Sequence, residues 1–294
     1  MITTEMIKAL REETSAGVLD CKKALEATGG DLDKAVAYLR EKGLAAAAKK
    51  ATREANEGLV NVLVDASSRL GAIVEVNCET DFVARTEDFK LFVETLVKQV
   101  ARTPGLSEVS DLLNQPYIQD HSLSVSERLT QLVAKLGENM VLRRCGRIER
   151  DGHGLIEGYV HPGSRIGVLV YLLAGSEDVS RGAPFRELVH DLALQIAAAA
   201  PEYISTEDIP STTLEGKRSV YLSELAEDKK PDHLKERIIS GKLDKWYGQT
   251  CLLRQPFVKD DTLTVGDLIR QKSQELGTPL SVKQFIRFEL GTGQ

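Results

Sequence analysis

The chain has 294 residues, room for two or three modest domains. Hydrophobic residues make up 42% and charged residues 28%, an ordinary globular composition, and 38 Lys and Arg against 44 Asp and Glu leave a net charge of −6. Without long basic runs, that balance argues against direct nucleic-acid binding, whose affinity comes from clustered Lys and Arg, and no apolar stretch approaches the roughly 18 residues that read as a membrane span.

The N-terminus, "MITTEMIKALREETS", contains acidic residues and lacks an apolar h-region, so it is not read as a signal peptide. The four cysteines, Cys21, Cys78, Cys145 and Cys251, are scattered without a C-x-x-C pair. Neither a disulfide framework nor a zinc site is expected, and a cytoplasmic location fits best.

The first 55 residues read as a small helical unit. Ile7 and Leu10 mark a first helix, broken near "TSAG". Val18, Cys21, Ala24 and Leu25 mark a second, ending at Gly29-Gly30, which suit a C-terminal cap. Asp31 is placed to cap a third helix with Ala35, Val36 and Leu39 inward, closed by Gly43. "LAAAAKKATREANEG" then reads as a charged, Ala-rich helical linker.

The middle of the chain holds an internal repeat. "RLGAIVEV" at 69–76 matches "RIGVLVYL" at 165–172, an offset of 96. The helical segments that follow keep it: Phe89, Phe92, Val93, Leu96 and Val100 correspond to Phe185, Leu188, Val189, Leu192 and Ile196, and Gln99 to Gln195. Both sets follow i, i+3, i+4, i+7 spacing and bury one helix face. Upstream, "EGLV" at 57–60 resembles "EGYV" at 157–160, an offset of 100, which makes the first hairpin loop about four residues the longer. Downstream, "LGENMVLRRCGRIE" at 136–149 resembles "LGTPLSVKQFIRFE" at 276–289. Each repeat reads as hairpin, helices and closing strand, and adjacent antiparallel strands with helices on one face make an α+β layer. The constant offset over 69–100 favours duplication over convergence.

The second repeat carries an insertion with two helical segments flanking "EDKKPD", Pro231 starting the second. Val220, Leu222 and Leu225 are expected to face Leu234, Ile238, Ile239 and Leu243 in an antiparallel hairpin. Its role is either a packed excursion or a second contact arm.

A catalytic constellation is not legible. The five histidines, His121, His153, His161, His190 and His233, show no i, i+4 pairing, and no carboxylate pair has metal-site spacing. There is no phosphate-loop, dinucleotide or nucleophile-elbow motif. An enzyme is not indicated, and no cofactor or metal is expected.

Two short stretches stand out. In "NCETDFVA" at 77–84, Thr80 or Asp81 can cap a helical turn. Phe82 then either packs beneath it with Val83 or is presented outward beside Asp81, an aromatic and carboxylate composition common at binding hot spots. In "YVHPGSRIGVLV", Pro162 and Gly163 make the second hairpin's turn and put His161 at its tip, either solvated or held by a partner.

The stretches "TSAGVLDCKKALEATGGDLDKAVAYLREKGLAAAAKKATREANEG", "VEVNCETDFVARTEDF", "KLGENM", "YVHPGSRIGVLV" and "KLDKWYGQTCLLRQPFV" together resemble the bacterial elongation factor Ts family over nearly the whole chain. The resemblance implies an α+β fold. An N-terminal ubiquitin-associated-like three-helix domain with its linker (1–55) precedes two related α+β subdomains, 56–150 and 151–200 with 246–294, and a helical hairpin (201–245) is inserted in the second. It implies a guanine nucleotide exchange factor for elongation factor Tu, bound in its GDP and nucleotide-free forms, and no enzyme in the covalent sense. The family's Thr-Asp-Phe-Val motif falls on Thr80, Asp81, Phe82 and Val83, which the resemblance implies press on the GTPase and disturb its Mg²⁺ site. Lys22, Leu136, Gly137, His161 and Val258 match further partner contacts. "TSAG" departs from the family pattern at Ser15, and the chain stops at "RFELGTGQ" without the additional C-terminal helix of many relatives. An adaptor that binds proteins through the three-helix domain is the alternative function, and a metabolic enzyme on the duplicated core a third. The second repeat's counterpart of the turn, "LAGSEDVS", lacks Thr-Asp-Phe-Val between a similar strand and helix. That contrast, with the family match, points to Asp81 and Phe82 as an exposed wedge.

Overall fold

The computed structural model describes residues 2–14, 16–106, 108–225 and 231–292. Ser15 and the whole of the "EDKK" stretch therefore lie outside the described residues. Among the described residues no helix is long and apolar enough to cross a membrane.

Three helices open the chain: α1 (Thr4–Thr14), α2 (Val18–Ala27) and α3 (Leu32–Lys50). Leu10, Cys21, Ala24, Leu25 and Ala35 form their buried core, as the narrow apolar stripes predict. Gly29 and Gly30 take positive φ after α2, and the Asp31 carboxylate accepts from the Lys34 N–H at 3.0 Å. Two expectations fail here. Val18 opens α2 with an exposed side chain. Gly43 does not close α3, which runs on into the Ala-rich segment to Lys50. One glycine costs a helix only about 1 kcal/mol, and this stretch of α3 packs along the later helix α7 (Val125–Leu136), with Gly43 facing Ala134.

The core is the duplicated unit. The first copy comprises β1 (Glu57–Val64), β2 (Leu70–Cys78), α4 (Asp81–Ala84), α5 (Glu87–Ala101), α6 (Val109–Leu113), β3 (Pro116–Tyr117), β4 (Asp120–Ser124), α7 and β5 (Met140–Glu149). The second comprises β6 (Gly154–Val160), β7 (Ile166–Ala174), α8 (Glu177–Arg181), α9 (Ala183–Ala199), α10 (Ser211–Glu224), α11 (Asp232–Thr250), β8 (Pro256–Phe257), β9 (Asp260–Thr264), α12 (Val265–Glu275) and β10 (Leu280–Glu289). Each makes a three-stranded antiparallel sheet, β1-β2-β5 and β10-β7-β6. The predicted α+β class is the observed one.

The hairpin offset needs correction. Gly58, opposite Asn77, and Gly154, opposite Leu173, share the same left-side φ, 142° and 141°. The turns repeat too, with Ser68 and Ser164 at φ 53° and 55°. The strands therefore keep the offset of 96 throughout, and both loops have five residues. The "EG" match at 157–158 is a coincidence of letters. Gly58 and Gly154 are glycines because a Cβ there would overlap the opposite strand's carbonyl, Val76 or Leu172.

Packing is shared between copies. One face of each sheet covers its own helices, around Phe89, Phe92 and Leu96 in the first and Phe185, Leu188 and Leu192 in the second. The other faces meet each other through Ile73, Ile148, Ile156, Leu169 and Tyr171. The inserted hairpin α10–α11 buries Leu225 and Ile239 but leaves Val220, Leu222 and Leu234 exposed. Its expected apolar seam is partly replaced by polar contacts. Arg218 pairs with Glu236 at 2.8 Å, and the Lys217 ammonium lies 5.6 Å from the Trp246 ring centroid.

Candidate partner-binding turn

Strand β2 is buried along almost its whole length and ends at Cys78. Two residues later Thr80 reverses the chain, and all its hydrogen-bonding atoms are engaged. Its N–H and hydroxyl donate to the two carboxylate oxygens of Glu138, at 3.0 and 2.6 Å. Its Oγ1 accepts from the Val83 N–H at 3.4 Å, the N-cap of the single turn α4. Its carbonyl accepts from the Ala84 N–H and from the Cys78 thiol, the latter at 3.1 Å. Burial, with the Glu138 carboxylate adding to it, pushes the Cys78 thiol up to about 12, so it stays a protonated donor at neutral pH.

On so short a helix successive side chains diverge by about 100°. Val83 and Ala84 point into the first copy's core, and Phe82 is thereby turned out. Phe82 is 79% exposed, ahead of Leu19 at 71%. Of the two readings open to the sequence, the outward one is observed, and Val83 packs beneath the turn without Phe82. Asp81, half-exposed, pairs with Arg85 at 2.8 Å. Ion pairs this exposed contribute little, so the carboxylate is available to a partner.

Helix α7 ends at Leu136, and Gly137 takes the left-handed conformation, φ 82°. That reversal brings Glu138 back onto Thr80. The next contacts continue the junction. Glu79 accepts from the Asn139 N–H at 2.6 Å and pairs with Arg53 at 3.4 Å, and the Asn139 amide donates to the Arg53 carbonyl at 2.7 Å. Thr80–Val83 and Leu136–Gly137 thus form one locale. Glu138, Glu79, Asn139 and Arg53 were missed by sequence reasoning. The available signal was the repeat, whose second copy has Thr278, Gly175 and Pro279 where Glu138, Glu79 and Asn139 stand.

The remaining predicted residues lie elsewhere. Lys22 is exposed on α2, pairs with Glu26 at 3.8 Å, and shares that helix with the exposed Val18 and Leu19. His161 is exposed and opens the turn between β6 and β7, its Nδ1 2.9 Å from the Tyr159 hydroxyl. Its counterpart in the first copy, Asp65, instead uses its carboxylate to bind the N–H groups of Arg69 and Leu70, both at 2.7 Å. The second hairpin closes without its first side chain, which leaves His161 facing outward. Val258 follows β8, half-exposed, with its N–H donating to the buried Gln195 at 2.8 Å. Among the described residues no hydrogen bond or ion pair joins Lys22, His161 or Val258 to the Phe82 turn. Nor does any group of three His, Cys, Asp or Glu among them gather as a metal site.

Residues 79–292 match the family model "Elongation factor TS", a span that begins one residue before Thr80. The chain belongs to the elongation factor Ts family. Curated relatives named "Elongation factor Ts" agree over its entire length. The one from Clostridium kluyveri (strain ATCC 8527 / DSM 555 / NBRC 12016 / NCIMB 10680 / K1) is 45% identical over 293 residues. Those from Clostridium novyi (strain NT) and Clostridium botulinum (strain Alaska E43 / Type E3) are 43% and 42% identical. In each case the match covers 100% of this chain and 94% of the relative. Membership of the elongation factor Ts family places the chain in the elongation stage of protein synthesis.

Proposed function

We propose that this chain acts as a guanine nucleotide exchange factor for elongation factor Tu. The observation that carries the reading is Phe82, a large apolar side chain held in solvent on a turn whose capping residue, Thr80, has all its polar atoms engaged within the molecule. Exposing it costs this protein hydration free energy, and only a partner's pocket returns it. An exchange factor must bind the nucleotide-free GTPase more tightly than the GDP form, since a ligand shifts an equilibrium only by its differential affinity. Linkage then lowers GDP affinity by the same factor. Phe82 supplies apolar insertion and Asp81 a negative charge that competes for the surroundings of the GTPase-bound Mg²⁺. We assign a second grip to the 1–55 unit, through Lys22 and the exposed Val18 and Leu19, and further contacts to Leu136 and Gly137 on the 56–150 subdomain and to His161 and Val258 on the subdomain of 151–200 with 246–294. No covalent step is required of this chain.

The test is release of a fluorescent GDP analogue from purified elongation factor Tu. Catalytic amounts of this chain are expected to accelerate it, and an unchanged release rate would overturn the reading. Burying a Phe is worth about 1.5–3 kcal/mol, so Phe82→Ala should slow exchange roughly 10- to 100-fold. Its melting temperature should stay close to that of the parent. A large melting shift with intact exchange would return Phe82 to a packing role. Pull-down recovering ubiquitin-like or unrelated proteins, and not the GTPase, would favour the adaptor function.

A further inference from the structure

A four-residue helix cannot hold its own direction, because a single turn fixes several dihedrals for very few hydrogen bonds. Something outside α4 must decide where Phe82 points. Val83 and Ala84 anchor the turn from below. Its leading end is held by Glu138, through both carboxylate oxygens on one residue, Thr80. Beside it, Glu79 and Asn139 tie the same junction to Arg53, three residues beyond the end of α3. Segments from three distant parts of the chain therefore meet at the base of the exposed aromatic.

The second copy shows what the fold needs without this junction. Ser176 caps α8 by accepting from the Val179 N–H at 3.4 Å, the distance found for Thr80 and Val83. The strand, the turn and the following helix are all present there. Glu138, Glu79 and Asn139 are nevertheless replaced by Thr278, Gly175 and Pro279, and Phe82 by Asp178. The carboxylate junction is surplus to making the turn and occurs only in the copy that carries the aromatic.

We infer that Glu138 is a positioning residue for exchange: its carboxylate fixes the Thr80 turn so that Phe82 leaves the surface in one direction. The Glu79–Asn139–Arg53 contacts extend that rigidity to the N-terminal helical unit. A preset side chain loses less freedom on binding, so more of its burial appears as discrimination between GTPase states. The inference rests on the exchange reading above.

The experiment compares the full chain with Glu138→Ala, Glu138→Gln and Ser176→Ala in the GDP-release assay, titrated to saturation, alongside amide hydrogen exchange. Glu138→Ala is expected to lower the maximal release rate at least tenfold while the half-saturating concentration moves less than threefold. The amides of residues 80–85 should exchange at least tenfold faster. Glu138→Gln retains one acceptor oxygen and should fall between parent and Glu138→Ala. Ser176→Ala removes the equivalent cap and should loosen its own turn with exchange unchanged. A folded Glu138→Ala that reaches the parental maximal rate overturns the inference, as does an equal rate loss in Ser176→Ala. If Glu138→Ala does not fold, Glu138→Gln decides, a parental maximal rate again overturning it. A parent chain that fails to release GDP sinks the exchange reading instead, and the amide data still report whether Glu138 holds the turn.

Discussion

At the scale of single residues, neighbouring side chains in "NCETDFVA" have opposite fates. Val83 is buried and Phe82 exposed because a one-turn helix cannot send adjacent positions the same way. Phe82→Ala should change folding stability by no more than about 0.5 kcal/mol, as surface substitutions do, although it impairs exchange. The thiols give a pH dependence. Burial raises Cys78 from 9.0 to about 12 and Cys145 from 9.0 to about 11. Folded-state values above the unfolded ones mean that their contribution is fully present below pH 9 and lost as pH rises toward 11–12. Urea midpoints should therefore fall between pH 9 and 11, and Cys78→Ala should flatten that fall. At pH 8 the native protein should modify at Cys78 with thiol reagents much more slowly than the unfolded chain.

At the scale of elements, the two copies repeat features that no apolar pattern encodes. Gln99 bridges Pro116 and Ile118 as Gln195 bridges Pro256 and Val258. Both closing strands carry a register shift, at Arg143 and Lys283 in corresponding places. The glycines differ in kind. Gly58→Ala would force a Cβ into the Val76 carbonyl at φ 142° and should cost more than about 2 kcal/mol. Gly43→Ala, inside α3 with ordinary contact to Ala134 at 3.6 Å, should stabilise by about 0.5–1 kcal/mol. Chemical denaturation of both variants checks the opposite signs. Helix α3 was misread because a glycine was taken as a stop; its neighbours are strong helix formers, and α7 supplies a surface for the continuation.

At the scale of the molecule, each hairpin turn is seated on the other copy. The Val60 N–H donates to the Ser164 carbonyl at 2.8 Å, and Ile156 to Ser68 at 3.0 Å. The chain's last strand closes this arrangement. Glu75 is fully buried and pairs with Arg144, whose guanidinium lies 4.4 Å from the Phe288 ring centroid and also donates to the Glu289 carbonyl. The Gly291 N–H reaches the same carboxylate at 3.3 Å. Arg144→Ala strands a buried charge and should cost about 3–5 kcal/mol in urea unfolding. A Glu75→Gln, Arg144→Ala double variant should recover part of that loss.

The sequence by itself determined the helical unit, the hairpin, long helix and closing strand of each repeat, the duplication over 69–100 and the inserted hairpin, because these rest on periodicity, caps and turn residues local to the chain. It also singled out the Phe82 turn, through its absence from the second copy. Only the tertiary structure decided that Phe82 faces solvent, that Glu138 holds its turn, and that the two sheets pack face to face. The expected apolar seam between α10 and α11 is incomplete: Val220 and Leu222, two residues apart, lie on different faces of α10, and both stay exposed, as does Leu234. Spacing says which residues share a face. What covers that face is set by segments as far apart in sequence as Thr80 and Glu138, whose pairing no local pattern carries.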